Sequence, residues 1–148
     1  MKRIFTLLLV VALTIGNFAV GAQARTLKDV EKTMRANPAF AFPNASWDKF
    51  EKADVDALKK AAGALGLVDI ISYGGDDTKG FMQAIRIAQF KATVNNAKAK
   101  KFWDAYCSVH QSAGMYGDPI IVTKGNIAAY YLKESIPASA IKALPKVL

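Results

Sequence analysis

The hydrophobic and polar positions of this 148-residue chain follow mainly a helical spacing. Beyond Arg25, apolar residues recur at steps of three and four, which places them on one face of an α-helix. Short stretches of Gly, Pro, Asn and Asp separate these periodic segments. The pattern predicts an all-α fold, a single compact domain of about five helices. The predicted helices cover residues 27–36, 47–65, 78–96, 97–113 and 124–135, with a closing helical turn at 139–144.

The first two predicted helices have clear start and stop signals. Thr26 is a good N-cap, and Asn37-Pro38 ends the first helix because the residue before proline avoids helical angles. Ser46 can cap the second helix, which is predicted to begin at Trp47. Its core face comprises Val55, Leu58, Ala62 and Leu65. Between the two helices, Phe40 and Phe42 are expected to be buried beneath the domain.

The third predicted helix is the most apolar segment after the N-terminal leader. Two apolar stripes run along residues 81–94, and only a narrow polar strip separates them. Such a wide apolar surface predicts a central helix that is contacted from two sides. The fourth predicted helix carries Phe102, Trp103 and Tyr106 on neighbouring stripes. Of these two helices, the sequence predicts a central position for the third, at residues 78–96.

Two short segments have strand character instead. Residues 68–73 and 120–122 are rich in β-branched side chains. The alternative for residues 68–73 is a buried connector. A minor two-stranded β pairing of these two segments is therefore included in the predicted fold. The Gly74-Gly75 pair predicts a turn directly after the first of them.

The first 24 residues have the organisation of an export signal. Lys2 and Arg3 precede an apolar run from residue 4 to 15, and Ala22-Gln23-Ala24 is a small-x-small cleavage site. The run is shorter than the roughly 20 residues that span a bilayer. The predicted organisation is a signal peptide at 1–24 and a helical domain at 25–148, located in the periplasm or secreted. We expect no stable membrane span after processing; the alternative is a leader retained as an anchor.

Net charge and cysteine content narrow the range of functions that the sequence allows. The formal net charge is +8, and +6 remains without residues 1–24. A basic surface suits acidic partners or anionic envelope components, while an exported protein has little occasion to bind nucleic acid. The chain has one cysteine, Cys107, so an internal disulfide is excluded and the domain depends on packing.

Cys107 and His110 form one candidate chemical site. They are three residues apart on a predicted helix, so both can face the same way. A thiolate beside an imidazole could act as a nucleophile in a thiol-dependent enzyme or redox protein, or supply two metal ligands. The favoured interpretation is that Cys107 fills space in the core. We therefore predict no catalytic residue, no metal and no cofactor.

The loop at residues 114–118 is the predicted partner-binding surface. It places Met115, Tyr116 and Asp118 between two glycines and the strand-like segment that follows. Methionine and tyrosine are enriched in protein interfaces, so Tyr116 is a candidate anchor. No nucleophile elbow, zinc-protease motif, CxxC or nucleotide fingerprint occurs in the sequence. These features favour a non-enzymatic protein that binds a protein partner, with binding of anionic envelope components as a further alternative.

Residues 119–137 carry a resemblance to a known family. Pro119 is followed by Val122-Thr123-Lys124-Gly125-Asn126-Ile127, then Tyr131-Leu132 and Pro137. This segment resembles the C-terminal part of the periplasmic immunity proteins that neutralise type VI secretion amidase effectors. The resemblance implies a helical protein that plugs the active-site groove of a toxin and has no catalysis of its own. An immunity or inhibitor protein is thus the sharpest form of the prediction.

Overall fold

The domain is a mixed α/β structure, and the all-α prediction is wrong. The computed structural model describes residues 24–76, 82–110, 118–132 and 135–148. Within these ranges, five antiparallel strands form one sheet and α-helices cover both of its faces. The predicted export signal lies outside the described residues, except for Ala24.

The elements follow one another along the chain as four α-helices and five strands in the described ranges. The helices are α1 (Leu27–Arg35), α2 (Lys52–Ala62), α3 (Asn96–Val109) and α4 (Ala138–Val147), and short 3₁₀ turns occupy Pro38–Phe40 and Gly63–Leu65. The strands are β1 (Ser46–Lys49), β2 (Leu67–Asp76), β3 (Met82–Phe90), β4 (Ile120–Lys124) and β5 (Ile127–Tyr131).

The strands lie in the order β1-β2-β3-β5-β4, so β1 and β4 are the two edges. Strands β2 and β3 pair over nearly their whole length, from Leu67 opposite Phe90 to Asp76 opposite Met82. Strands β4 and β5 are joined by the two-residue loop Gly125-Asn126. Gly125 has φ of +58°, the conformation that a two-residue hairpin loop reserves for glycine at this position.

Each face of the sheet carries its own core. On the first face, α1, α4 and the first 3₁₀ turn pack on inward side chains such as Ile71, Ile87 and Ala129. On the second face, α2 and α3 pack on the alternate residues of the same strands, such as Ile70 and Ala88. We call these the α1/α4 face and the α2/α3 face. Alternation along each strand therefore divides one sheet between two helical layers.

The predicted helices at 78–96 and 124–135 are the main errors. Residues 82–90 form strand β3 and residues 127–131 form strand β5. In β3, Ile85 and Ile87 face α1 and α4, while Ala88 faces α2 and α3. A strand with both faces buried presents apolar residues at almost every position, and the same composition also fits a buried helix.

The other helices are predicted more accurately. Helix α1 begins after Thr26 as expected, with Asp29 completing a capping box. The prediction of a second helix starting at Trp47 is wrong, because Trp47 lies in β1 and α2 begins at Lys52. The core positions Val55, Leu58 and Ala62 are nevertheless buried, as are Phe40 and Phe42. Helix α3 ends at Val109, four residues before its predicted end.

The strand character of residues 68–73 and 120–122 is confirmed, but their predicted pairing is wrong. These segments lie in β2 and β4, which are separated in the sheet by β3 and β5. The predicted turn at Gly74-Gly75 is also wrong, because both glycines continue β2. A Cβ on Gly75 would lie 2.4 Å from the carbonyl oxygen of Pro43. Glycine is therefore required here because the loop before β1 crosses the strand.

A buried amide ties the start of the domain to the β4–β5 hairpin. The side chain of Asn126 accepts a hydrogen bond from the backbone N–H of Arg25 at 3.0 Å and donates to the carbonyls of Arg25 and Phe90. The Arg25 guanidinium donates to the carbonyls of Val147 and Leu148. Residue Asn126 thus joins three segments that are distant in sequence.

Replacement of Gly75 by alanine is expected to destabilise the fold by about 1–3 kcal/mol, because the added methyl group overlaps the Pro43 carbonyl. Urea unfolding of the purified protein measures this effect. The matched control is Ser72→Ala on the same strand, which adds no atom and should change stability by no more than about 0.5 kcal/mol. Equal stability of the two variants would contradict the close approach.

Replacement of Asn126 by alanine should cost about 2–3 kcal/mol, because the change leaves partly buried backbone groups of Arg25 and Phe90 without their partner. The control is Asn96→Ala, which removes one exposed hydrogen bond to Thr123. We expect that change to cost no more than about 1 kcal/mol. Thermal unfolding that ranks the two variants in the opposite order would refute the bridging role.

Candidate functional site

The end of α3 places His110 against Phe50, and Cys107 is partly buried against the core of the α2/α3 face. Tyr106 and His110 have ring centroids 4.5 Å apart, and Phe50, from the segment before α2, lies 6.1 Å from each of them. The imidazole Nε2 of His110 is enclosed and meets no hydrogen-bond partner among the described residues. The imidazole therefore serves as a packed ring in this aromatic cluster.

A cation covers the neighbouring rings. Arg86, on the α2/α3 face of β3, donates from Nε to the hydroxyl of Tyr106 at 2.8 Å. Its guanidinium carbon lies 5.5 Å from the Tyr106 centroid and 6.0 Å from that of Trp103. These distances are in the range of cation–π attraction. Arg86 thus binds the C-terminal half of α3 to the middle of the sheet.

The surroundings of Cys107 hold its thiol in the neutral form. Burial raises the pKa of the Cys107 thiol, and the nearby Asp104 carboxylate raises this pKa further. The opposing effects of Lys100 and Arg86 are smaller. A catalytic thiol requires a lowered pKa, because the thiolate is the nucleophile. A raised pKa is the opposite of what a thiol-dependent enzyme needs.

Metal binding finds no support in the described ranges, where no three His, Cys, Asp or Glu side chains are grouped closely enough to hold an ion. Of the residues predicted to bind a partner, Met115 and Tyr116 lie outside the described residues. Asp118 is described and is exposed, with its carboxylate 3.8 Å from the ammonium of Lys100. Asp118 lies two residues before edge strand β4, so the end of the predicted loop leads into the sheet edge.

The two edges of the sheet differ in chemistry. Strand β1 has four residues, of which Ser46, Asp48 and Lys49 are exposed. Short, charged edge strands resist pairing with other chains. Strand β4 has five residues, and its apolar members Ile120, Ile121 and Val122 are all half-buried. The outer side of residues 120–124, named here the β4 edge, has no strand partner in the described part of the chain.

The hairpin geometry determines which backbone groups of β4 face outward. Lys124 and Ile127 flank the two-residue loop and form the first hydrogen-bonded pair of the ladder. Opposed residues alternate between bonded and non-bonded pairs, so Val122 and Ile120 also bond to β5. Ile121 and Thr123 therefore direct their backbone N–H and C=O groups away from the sheet.

Sequence reasoning missed Phe50, Arg86 and the β4 edge. No local pattern relates Phe50 to α3, because the two are distant in the chain. The β4 edge did have a signal: Gly-Asn between two apolar runs is a hairpin sequence. The predicted helix at 124–135 obscured that signal.

Thiol labelling tests the protonation state of the Cys107 thiol. At pH 8 the native protein should react with a small thiol reagent several-fold more slowly than the urea-unfolded protein, since a raised pKa lowers the thiolate fraction. Asp104→Asn should speed native labelling because it removes a negative charge near the sulfur. Lys101→Gln is the control and should leave the rate unchanged. Faster labelling of the native than of the unfolded protein would reverse this conclusion.

Within the described ranges, no helix combines the length and the apolar character needed to cross a bilayer. No family model, curated protein or solved structure matches the chain. Its function therefore has to be inferred from its own geometry.

Proposed function

We propose that this chain is a small exported, non-enzymatic protein that binds a protein partner in the cell envelope by adding a strand of that partner to the β4 edge. The observation that carries the proposal is the edge itself. It is five residues long, apolar at three of these positions, and open along its outer side in the described part of the chain. Strand addition uses backbone hydrogen bonds for affinity and alternate side chains for specificity.

The β4 edge offers both kinds of contact. Ile121 and Thr123 present two outward N–H groups and two outward carbonyls to an incoming strand. Side chains on the two faces of β4 are half-buried against α3 and α4, so a docked strand would extend both cores. Extension of both cores would bury apolar area and stabilise the complex.

Charge indicates the composition of the partner strand. Lys124 ends β4 and is exposed, and its ammonium contacts only the carbonyl of Pro145 at 3.3 Å among the hydrogen bonds of the described residues. The chain without residues 1–24 has a net charge of +6. An apolar strand that carries an acidic residue opposite Lys124 would complement this surface. Charge complementarity would also increase the association rate.

An immunity or inhibitor protein is the sharpest form of the proposal. Two features support it: the export-like leader, and a surface that can bind a partner without catalysing a reaction. Residues 119–137 carry the resemblance to amidase immunity proteins; within them, residues 122–127 lie in the β4–β5 hairpin and do not open a helix. The inhibitor role therefore rests on the open edge and the basic charge, and Asp118 lies at the start of the same surface.

The variant pair Thr123→Pro and Thr123→Val tests the proposed edge. Both lose the hydroxyl that bonds to Asn96 at 3.1 Å, but only proline removes the outward N–H. Tagged protein exported with its own leader should retain one stoichiometric protein partner from the native envelope fraction. Thr123→Val should keep it, and Thr123→Pro should weaken capture by about tenfold.

Two controls define the interpretation. Far-ultraviolet circular dichroism should show both variants folded, because proline is tolerated on the outer side of an edge strand. Partner retention above ~200 mM salt separates this mode from attraction to anionic envelope components, which screening weakens. Full capture by Thr123→Pro, or absence of any stoichiometric protein, would refute the proposal.

A further inference from the structure

A second surface lies beside the opposite edge, on the α1/α4 face. A cavity of about 480 Å³ opens between the end of α1, the first 3₁₀ turn and strands β1 and β2. Cavities of this volume are in the range of small-molecule sites. Its floor and walls are largely apolar, and no acidic residue is among the described residues that line it. It shares no residue with the β4 edge.

Aromatic rings form the floor of this cavity. Trp47 of β1 and Tyr73 of β2 are opposite one another in the sheet, with ring centroids 4.5 Å apart. Phe42 stacks on Tyr73 with ring centroids 5.3 Å apart, and Tyr73 donates its hydroxyl to the carbonyl of Phe40. Burial raises the pKa of Tyr73, which keeps this donor protonated. The floor is therefore a preorganised stack that suits a planar apolar group.

Donors lie at the rim of the cavity. The guanidinium carbon of Arg35 is 5.6 Å from the centroid of the Trp47 indole. Glu31 accepts hydrogen bonds from Nε and Nη2 of Arg35, which orients the guanidinium and leaves Nη1 without a hydrogen bond among the described residues. Asn37 uses its side-chain oxygen for Ala39 N–H, so its amide NH₂ is directed elsewhere. The rim thus presents hydrogen-bond donors.

One more donor at this cavity lacks a partner. The indole Nε1 of Trp47 is enclosed and meets no acceptor in the described part of the chain. A buried donor without an acceptor destabilises the structure that contains it. A side-chain shift that admits a ligand oxygen to Nε1 would supply the missing hydrogen bond. Both Arg35 and Trp47 therefore favour a ligand with an acceptor group.

We propose that this cavity binds an aromatic carboxylate, with the ring on the Trp47–Tyr73 floor and the carboxylate between Arg35 Nη1 and the Trp47 indole N–H. The ring matches the apolar floor in shape and chemistry. The carboxylate matches the donors of the rim, and its charge complements the guanidinium. The site goes beyond partner binding at the β4 edge and does not depend on it.

Nuclear magnetic resonance of the ¹⁵N-labelled protein tests the site with hydrocinnamate as the probe. The chain has two tryptophans, so the Trp103→Phe variant assigns the two indole N–H signals. Trp103 lies in the α2/α3 face and serves as an internal control. The Trp47 signal should move downfield and saturate, while the Trp103 signal stays in place. An unmoved Trp47 signal, or equal shifts of both signals, would overturn the proposal.

Matched variants test whether the cavity recognises the carboxylate of the ligand. Arg35→Gln should weaken hydrocinnamate binding by about threefold to tenfold, a range reduced because Arg35 is partly exposed to solvent. Lys28→Gln removes the same charge from α1 at an exposed position outside the cavity and should leave binding unchanged. The neutral amide hydrocinnamamide should bind more weakly to the unmodified protein. Equal effects of the two variants would overturn the carboxylate assignment.

The same chemistry occurs in free aromatic acids and at peptide ends that terminate in phenylalanine. Titration with the peptide acetyl-Ala-Ala-Phe, compared with hydrocinnamate, separates these sources. Tighter binding of the peptide that is lost on C-terminal amidation would assign the site to peptide ends. Tighter binding of hydrocinnamate would assign it to free acids.

Discussion

Burial of strand β5 on both faces is the constraint on which the rest of the structure depends. All five of its residues are buried, and it pairs with β3 on one side and β4 on the other. On the α2/α3 face, Tyr130 stacks on Trp103 at 5.4 Å and donates its hydroxyl to the carbonyl of Ala99. A strand with apolar side chains on both faces requires a helical layer on each side. The two pairs α1/α4 and α2/α3 supply those layers.

This constraint also explains which elements the sequence could predict. Helices α1, α2 and α3 each lie on one face of the sheet, so their apolar positions keep the helical period; the three helices were predicted, with core positions for α2 and α3. Strands β3 and β5 are central, so they lack the alternation of a half-exposed strand. Their alanines favour helix as isolated residues, and tertiary pairing overrides that preference. The all-α interpretation failed at the strands that are covered on both sides.

The spacing of residues along one helix also limits what could be predicted about the candidate site. The i, i+3 spacing predicted that Cys107 and His110 face the same way on one helix; Cys107 lies in α3, and His110 is the residue that caps its C-terminus. This spacing could not show that Phe50 lies against His110, or that Asp104 and burial hold the thiol neutral. These contacts come from different elements and depend on how α2 packs on α3. The chemical character of the pair is therefore a property of the tertiary structure.

The open surfaces follow from the strand order in the same way. A sheet of five strands has two edges, and here the chain assigns them different compositions. Strand β1 is short and carries Asp48 and Lys49, which protect its backbone from pairing with another strand. The cavity beside it presents side chains to a ligand. Strand β4 begins two residues after Asp118 and is apolar at three of its five positions, so its backbone is where we propose that a partner strand is added. Because β2, β3 and β5 separate the two edges, a strand docked on β4 leaves the Trp47 cavity open. Binding at the two surfaces is therefore sterically compatible.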